Sequence, residues 1–514
     1  MANQVIPLYN QESENSKTDS GYLQISKVQN QSQLPSVSDP LTSLPSQINK
    51  KFTVQSDSQV EEGLKSFVHL AIILVAIQSG NFSVGYSLSY LSMSFTTLFS
   101  QITLKGSEIE EQGLFSAVLS IGQLVGAVVT KPLLKYTTRN QSLLIADFFG
   151  VLSILQVIPN REVILAFRFS YGMCLGISSV IMAIYVKELC PDKYYETFSV
   201  LASFLIAGGL FFINFIGLGY LNPDLRGEHS YYWQIVFAIP SLVHFLRSFI
   251  ITIVYKIDSP DSLIQLKQPS EAKRIIIKLY QPEFVEQIFL TCLKRVENDS
   301  EQSEGFLSLF SKKHLKTVII GCLLAFISTW CGLFALYSYC SQIFDVITDG
   351  DFTLNTIFIL IIGIVQFIPA FISKFVYRKI GNRTLLLGGL LVLIVCQILI
   401  IGLSYSETVG ASITSFIIIC FFSFTFALTL GPITYSMIPE INTSEGTYFC
   451  FVTLYVWQLF MLYIFPFMLD ALQISGVFIV FAILTLLSIL YFYVYVKETK
   501  GLSHTEIEKQ YGKL

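Results

Sequence analysis

The chain has 514 residues, 53% of them hydrophobic and only 13% charged. A soluble domain carries about 25% charged residues, so a lipid bilayer is the main solvent here. The formal net charge of −3 excludes the basic footprint of a nucleic-acid binder.

Residues 1–64 are rich in Ser, Gln, Asn and Pro and poor in large apolar residues. Such a segment buries too little surface to offset its chain entropy, and a disordered cytoplasmic tail is expected. No early apolar core with a small-residue cleavage site is visible, so the first apolar run reads as an uncleaved insertion signal. Apolar runs of membrane-spanning length then occupy 66–90, 113–134, 141–159, 162–187, 197–221 and 231–255. After a polar stretch they continue at 317–344, 352–377, 384–404, 411–438, 447–470 and 474–496. Each is expected to be helical, because a segment in lipid must satisfy its own backbone.

The polar stretch, Tyr255 to Lys316, divides the apolar part into two sets of six. That is the layout of a two-bundle secondary transporter. The expected divisions are a tail (1–64), a first six-helix bundle (65–256), a cytoplasmic helical linker (257–316), a second bundle (317–496) and a short tail (497–514). Within the linker, Ser270 can cap a helix starting at Glu271. Val285, Ile288, Phe289, Cys292, Leu293 and Val296 recur at helical spacing. Both helices are expected to pack against the cytoplasmic mouth.

Lys and Arg placement sets the orientation. With the N-terminus inside, the short outer loops hold only Lys105, Arg161 and Arg226 of 33 basic residues. Both termini and the linker are then cytoplasmic, in the plasma membrane or an endomembrane. The nine cysteines show no pairing framework, and the five histidines no metal-ligand spacing. No nucleophile–base arrangement stands out, so nothing suggests an enzyme, a cofactor or a metal.

An internal repeat joins the halves. Lys131 matches Lys374 and Lys135 matches Arg378 at one offset of 243 residues (374 − 131; 378 − 135), and Leu143-Leu144 matches Leu386-Leu387.

Several motifs carry a family resemblance. Tyr185-Val186-Lys187-Glu188-Leu189-Cys190-Pro191 resembles the Y-x-x-E-x-S-P signature of sugar porters, a branch of the major facilitator superfamily that includes the facilitative glucose transporters. Arg168-Phe169-Ser170-Tyr171-Gly172 resembles their R-F-x-x-G, and Asp258-Ser259-Pro260 their P-E-S-P-R, with Asp261 in place of the arginine. Gly431-Pro432-Ile433-Thr434-Tyr435, followed by Glu440, resembles G-P-x-x-W ending in E. Glu498-Thr499-Lys500-Gly501 resembles the P-E-T-K-G tail. Together the motifs cover residues 66 to 510. The resemblance implies an all-α integral membrane fold, twelve transmembrane helices in two six-helix bundles.

It also implies roles. Glu188, Asp258 and Glu440 would supply carboxylates, and Arg139, Lys379 and Arg383 cations, to contacts that close the cytoplasmic mouth between the bundles. The substrate positions align with Ser203, Ser328, Thr329, Tyr339, Gln366, Tyr435 and Gln458, expected to converge on one cavity. The family's glutamines in the fifth and seventh spans and its tenth-span glutamate are missing here. In proton-coupled members an aspartate faces the fourth-span arginine. Here the arginine is Arg168 and the aspartate's place is taken by Ser87, so facilitated diffusion is expected. Asp147, in the third span, is the rival proton carrier, since intramembrane carboxylates are functional suspects. The expected function is transport of a sugar, hexose or related polyol, by alternating access. The alternatives are transport of another small organic solute and a non-transporting nutrient sensor. The expected partners are the sugar-like substrate and the lipid bilayer, with no nucleic acid and no obligate protein partner.

Overall fold

The computed structural model describes residues 63–226, 230–301, 309, 311, 314–406, 408–500, 506, 507, 510 and 511. The disordered tail expected over 1–64 therefore lies outside the described residues, apart from its last two. Gly63 and Leu64 are ordered. The Gly63 carbonyl accepts from Gln281 N at 2.7 Å, and Leu64 forms an antiparallel bridge with Tyr280.

The first span is three helices in series, Phe67–Gln78, Gly80–Ser87 and Tyr90–Gln101. It runs past the expected end at residue 90, because Ser92, Ser94 and Thr97 are buried, Ser92 bonding Gln342 and Ser94 bonding Tyr220. The second to sixth spans are Glu108–Leu133, Arg139–Leu152, Arg161–Leu189, Asp192–Ile216 and Tyr232–Ser248. The third continues as a 3-10 turn, Ser153–Val157, and the sixth as a π-helical stretch, Phe249–Tyr255. Reciprocal capping boxes start the second span (Ser107 with Glu110) and the third (Thr138 with Gln141), satisfying amide donors that a helix start leaves free.

Three linker helices follow, Pro260–Gln265, Pro269–Leu279 and Val285–Glu301. The second starts at Pro269 rather than Glu271, because proline is preset for the first helical position. Its Ala272, Ile275, Ile276 and Leu279 join Val285, Ile288, Phe289 and Cys292 in one core with the first bundle.

The seventh span is broken into Leu315–Trp330, Leu333–Ser338 and Cys340–Ile347. Gly332 makes the break: its φ of +105° suits glycine, and a Cβ there would meet the Phe481 ring at 2.6 Å. The eighth and ninth spans are Phe352–Lys379 and Asn382–Leu403. The tenth is Val409–Leu428 followed by Leu430–Ile441. The eleventh and twelfth run together as Ser444–Tyr495, bent at Gln473, whose φ is 57°.

Glycines set how closely the spans approach. Gly122 and Gly126 of the second span face Phe169 O and Met173 O of the fourth, and Gly172 and Gly176 face Leu119 O and Gln123 O in return. No Cβ fits at these four positions, so the two backbones touch, which is the membrane route to tight helix pairing. Spans one to six pack mainly on one another, and so do seven to twelve. The two sets meet where the second span lies on the eleventh and the fifth on the eighth.

Candidate functional site

The linker-side ends carry one arrangement twice. Arg139, the first residue of the third span, donates from Nη2 to Glu188 Oε1 at 2.8 Å and from Nε to Oε2 at 3.1 Å. The Ser259 hydroxyl also donates to Glu188 Oε2. Asp258 Oδ1 accepts from the backbone of Asn140 at 3.1 Å and of Ser259 at 2.8 Å. In the second bundle, Asn382 donates to Glu440 Oε2 at 3.1 Å and Thr499 Oγ1 donates to the same oxygen at 2.8 Å. Glu498 Oε1 accepts from Thr499 N at 3.2 Å. Asn382 lies 243 residues after Arg139 (382 − 139), the offset of the sequence repeat. The shared side-chain chemistry gives the repeat a three-dimensional counterpart.

These contacts lie within each bundle, which corrects the expectation that they bridge the two. Lys379 is exposed, and Arg383 donates to Tyr493 O at 2.8 Å rather than to Glu440. The linker joins the first cluster through Gln265, which accepts from Arg139 at 3.2 Å. Burial pushes the Asp258 carboxyl above the usual carboxylate range. It raises Asp261 to about 6, although Arg295, 3.3 Å away, draws it down.

The bridges between bundles use residues that the motifs do not include. Lys131 pairs with Glu445, in the first turn of the eleventh span. The Tyr448 hydroxyl donates to Val128 O at 3.1 Å, and Ser179 and Tyr455 share a hydrogen bond of 2.7 Å. Higher in the same seam, Gln458 Nε2 donates to Gln123 Oε1 at 2.9 Å. On the far side, Ser92 donates to Gln342 Oε1 at 2.9 Å and Ser89 meets Cys340 Sγ at 3.2 Å. The bundles are thus bonded on both sides of the midplane. Glu445 belongs to no quoted motif, and its partner stands 314 residues away, so local pattern could not reveal it.

Arg168 is almost wholly buried. It donates from Nε to Phe115 O at 2.8 Å and from Nη1 to Tyr90 OH at 2.5 Å, with its guanidinium 4.9 Å from the Tyr90 ring centroid. Among the described residues no carboxylate bonds to it. The Ser87 hydroxyl turns back to Val84 O at 2.7 Å. Asp147 is fully engaged. Arg247 donates to both its oxygens, Ser248 donates to Oδ2 at 2.7 Å, and His244 Nδ1 lies 3.0 Å from Oδ1. Asp147, Cys174 and His244 lie close enough together to hold a metal, but the guanidinium already holds the carboxylate.

The expected substrate residues are spread among several contacts. Ser328 donates to Ala325 O at 2.9 Å and Thr329 to Phe326 O at 2.8 Å, both on their own helix. Tyr339 donates to Leu462 O at 2.5 Å. Gln366 Oε1 accepts from Tyr337 and, at 3.0 Å, from Ser423, so it ties three spans of one bundle. Tyr435 is 55% exposed and stacks on Phe451. Ser203 is half-buried, next to Phe204, whose ring meets Phe367 and Phe371 of the eighth span. Gln458 bonds across to Gln123 of the first bundle, and Tyr339 stacks on Phe95 and lies beside Ser116 of that bundle.

Residues 69–511 match the family described as sugar (and other) transporter. The chain belongs to that family. Its family relatives include hexose transporter 1 of Plasmodium falciparum (isolate 3D7), 23% identical over 418 residues, covering 78% of this chain and 82% of that protein. Glucose transporter GlcP of Staphylococcus epidermidis is 25% identical over 457 residues, covering 87% and 97%. The xylose transporter XylE from E. coli, partially occluded and inward open, superposes with a TM-score of 0.71 at 17% identity, covering 84% of this chain and 99% of that one. XylE is also described as a major facilitator superfamily proton:xylose symporter. The fold of this sugar transporter family member is therefore that of the superfamily, an integral multi-pass assembly of twelve spans in two six-span bundles. Ten described helices meet the length and apolarity of a span. One of these is the double helix bent at Gln473, and the broken seventh span completes the set.

Proposed function

We propose that the chain carries a hexose or related polyol across a membrane by facilitated diffusion, alternating access between its two bundles. The single observation that supports uniport is the surroundings of Arg168, which bonds a carbonyl and a phenol where a coupling carboxylate would be needed. A serine at position 87 cannot exchange a proton near neutral pH, and Asp147 is bound at both carboxylate oxygens by Arg247. In this reading the divisions are 1–64, 65–256, 257–316, 317–496 and 497–514, both termini are cytoplasmic, and the plasma membrane is the site.

Polar ligands for the sugar are proposed at Ser203, Ser328, Thr329, Tyr339, Gln366, Tyr435 and Gln458. Sugar sites combine a few placed polar groups with aromatic walls, and Tyr339, Tyr435 and Phe451 supply the rings. The test is a radiolabelled uptake panel in proteoliposomes. Saturable uptake of a hexose or polyol, competed by its stereochemical relatives, is expected. Uptake of none of them would overturn the reading.

A further inference from the structure

Most membrane hydroxyls in this chain turn back onto their own helix. Thr130 donates to Gly126 O and Ser179 to Gly176 O. Ser116 and Ser120 of the second span do not. Both are buried, at 4% and 0% exposure; neither hydroxyl makes a well-formed hydrogen bond, and Ser116 lies beside the Tyr339 hydroxyl of the seventh span. They stand four residues apart, and Gln123 follows three residues later, so the three share one helix face. That face meets the eleventh span: a Cβ at Gly113 would lie 2.9 Å from Tyr463 O, and Gln123 bonds Gln458. Neither amide makes a second hydrogen bond among the described residues, which leaves Gln123 Nε2 and Gln458 Oε1 free. A buried polar group without a partner is costly and calls for an explanation. The backbone that carries Gln123 is fixed, because Gly172 and Gly176 press directly on it.

We propose that Ser116, Ser120 and Gln123 form the first bundle's half of the substrate site, binding hydroxyl groups of the sugar or polyol opposite Gln458. This rests on the reading of the chain as a sugar carrier. The chemistry is matched. A hydroxyl both donates and accepts, and so do a serine and a carboxamide. The Gln123–Gln458 bond satisfies one atom of each amide. An arriving polyhydroxyl ligand replaces that bond with several, engages both bundles at once and occupies the two idle serines. Gln123 and Ser120 then act as specificity determinants, and the second span becomes part of the binding site.

The experiment measures binding to the full-length purified chain. The ligands are the tightest-binding member of a D-hexose and polyol panel and its monodeoxy analogues. Ser120→Ala removes one oxygen and little volume, and Gln123→Met keeps length while removing the amide. For the parent sugar, each variant is expected to bind about tenfold more weakly. For the one analogue that lacks the contacted hydroxyl, variant and wild type should bind alike. Gln123→Asn, which keeps the carboxamide, should restore part of the discrimination. A uniform loss across the parent and all analogues in both variants would show that these residues only hold the bundles together, and would overturn the proposal alone. Failure of the wild type to bind any member of the panel would overturn the carrier reading and this proposal together.

Discussion

Arg247 donates to both carboxylate oxygens of Asp147 inside the first bundle, and both side chains are at most 2% exposed. Ser178 accepts from the same guanidinium at 2.7 Å and Ser248 completes the carboxylate shell. A pair satisfied this fully ties the third span to the sixth. Removing one partner leaves an uncompensated buried charge, at a cost of roughly 3–5 kcal/mol. Asp147→Asn should therefore lower the melting temperature of the purified protein sharply. Whatever folded protein remains should still equilibrate substrate without carrying protons. The pair Asp147→Leu with Arg247→Met should recover most of the lost stability in the same melt.

The Lys131–Glu445 pair bridges the bundles from positions 40% and 19% exposed. A pair this exposed contributes about 0–1 kcal/mol, which suits a contact that must break in every cycle. Glu445→Gln should shift the population of molecules open on the linker side by up to about fivefold. Fluorescence transfer between dyes at Tyr136 and Ile380, exposed residues at the linker-side ends of the two bundles, reads that population. An unchanged distribution would place the closure elsewhere in the seam.

Arg139 bonds Glu188 at both carboxylate oxygens and also Gln265, whereas Asn382 gives Glu440 one hydrogen bond from an uncharged amide. The two positions are equivalent in the repeat but not in strength, since a bidentate guanidinium–carboxylate pair outweighs a single amide bond to a carboxylate. Arg139→Ala should raise hydrogen exchange over residues 258–279, where the linker is held through Ser259 and Gln265. Asn382→Ala should leave those amides unchanged.

Asp261 gives the linker a pH dependence. Burial raises its folded-state pKa from 3.8 to about 6. The folded form therefore favours the protonated acid. That stability is fully present below about pH 4 and is lost as pH rises through about 6, a change of about 2–3 kcal/mol. Glu188, Arg139, Cys292 and Arg295 surround the carboxyl. Linker amides should exchange faster at pH 7 than at pH 5, and Asp261→Asn should remove the difference.

Much of the fold is legible in the sequence because lipid demands long apolar helices and leaves a strong periodic trace. The apolar runs follow from that demand, and the linker helix from Val285 follows from its own apolar spacing. The start of the second linker helix at Pro269 and the long first span do not, since proline geometry and the buried hydrogen bonds of Ser92 and Ser94 decide them. The site is less legible. Gln458 stands at a position the resemblance points to, but its partner Gln123 is 335 residues away. Ser116 and Ser120 look like ordinary small residues of a span until their missing partners are seen. Arg139 and Glu188 are both expected residues of the first bundle, yet only packing reveals that they pair with each other rather than across the seam.

Facilitated diffusion is the central claim, and accumulation tests it most directly. Proteoliposomes holding the full-length chain are given an inward proton gradient and the labelled hexose or polyol that the uptake panel identifies. With Arg168 bonded to no carboxylate among the described residues and Asp147 locked to Arg247, internal substrate should rise to the external concentration and stop there, with or without the gradient. Uphill accumulation that a protonophore abolishes would contradict the account.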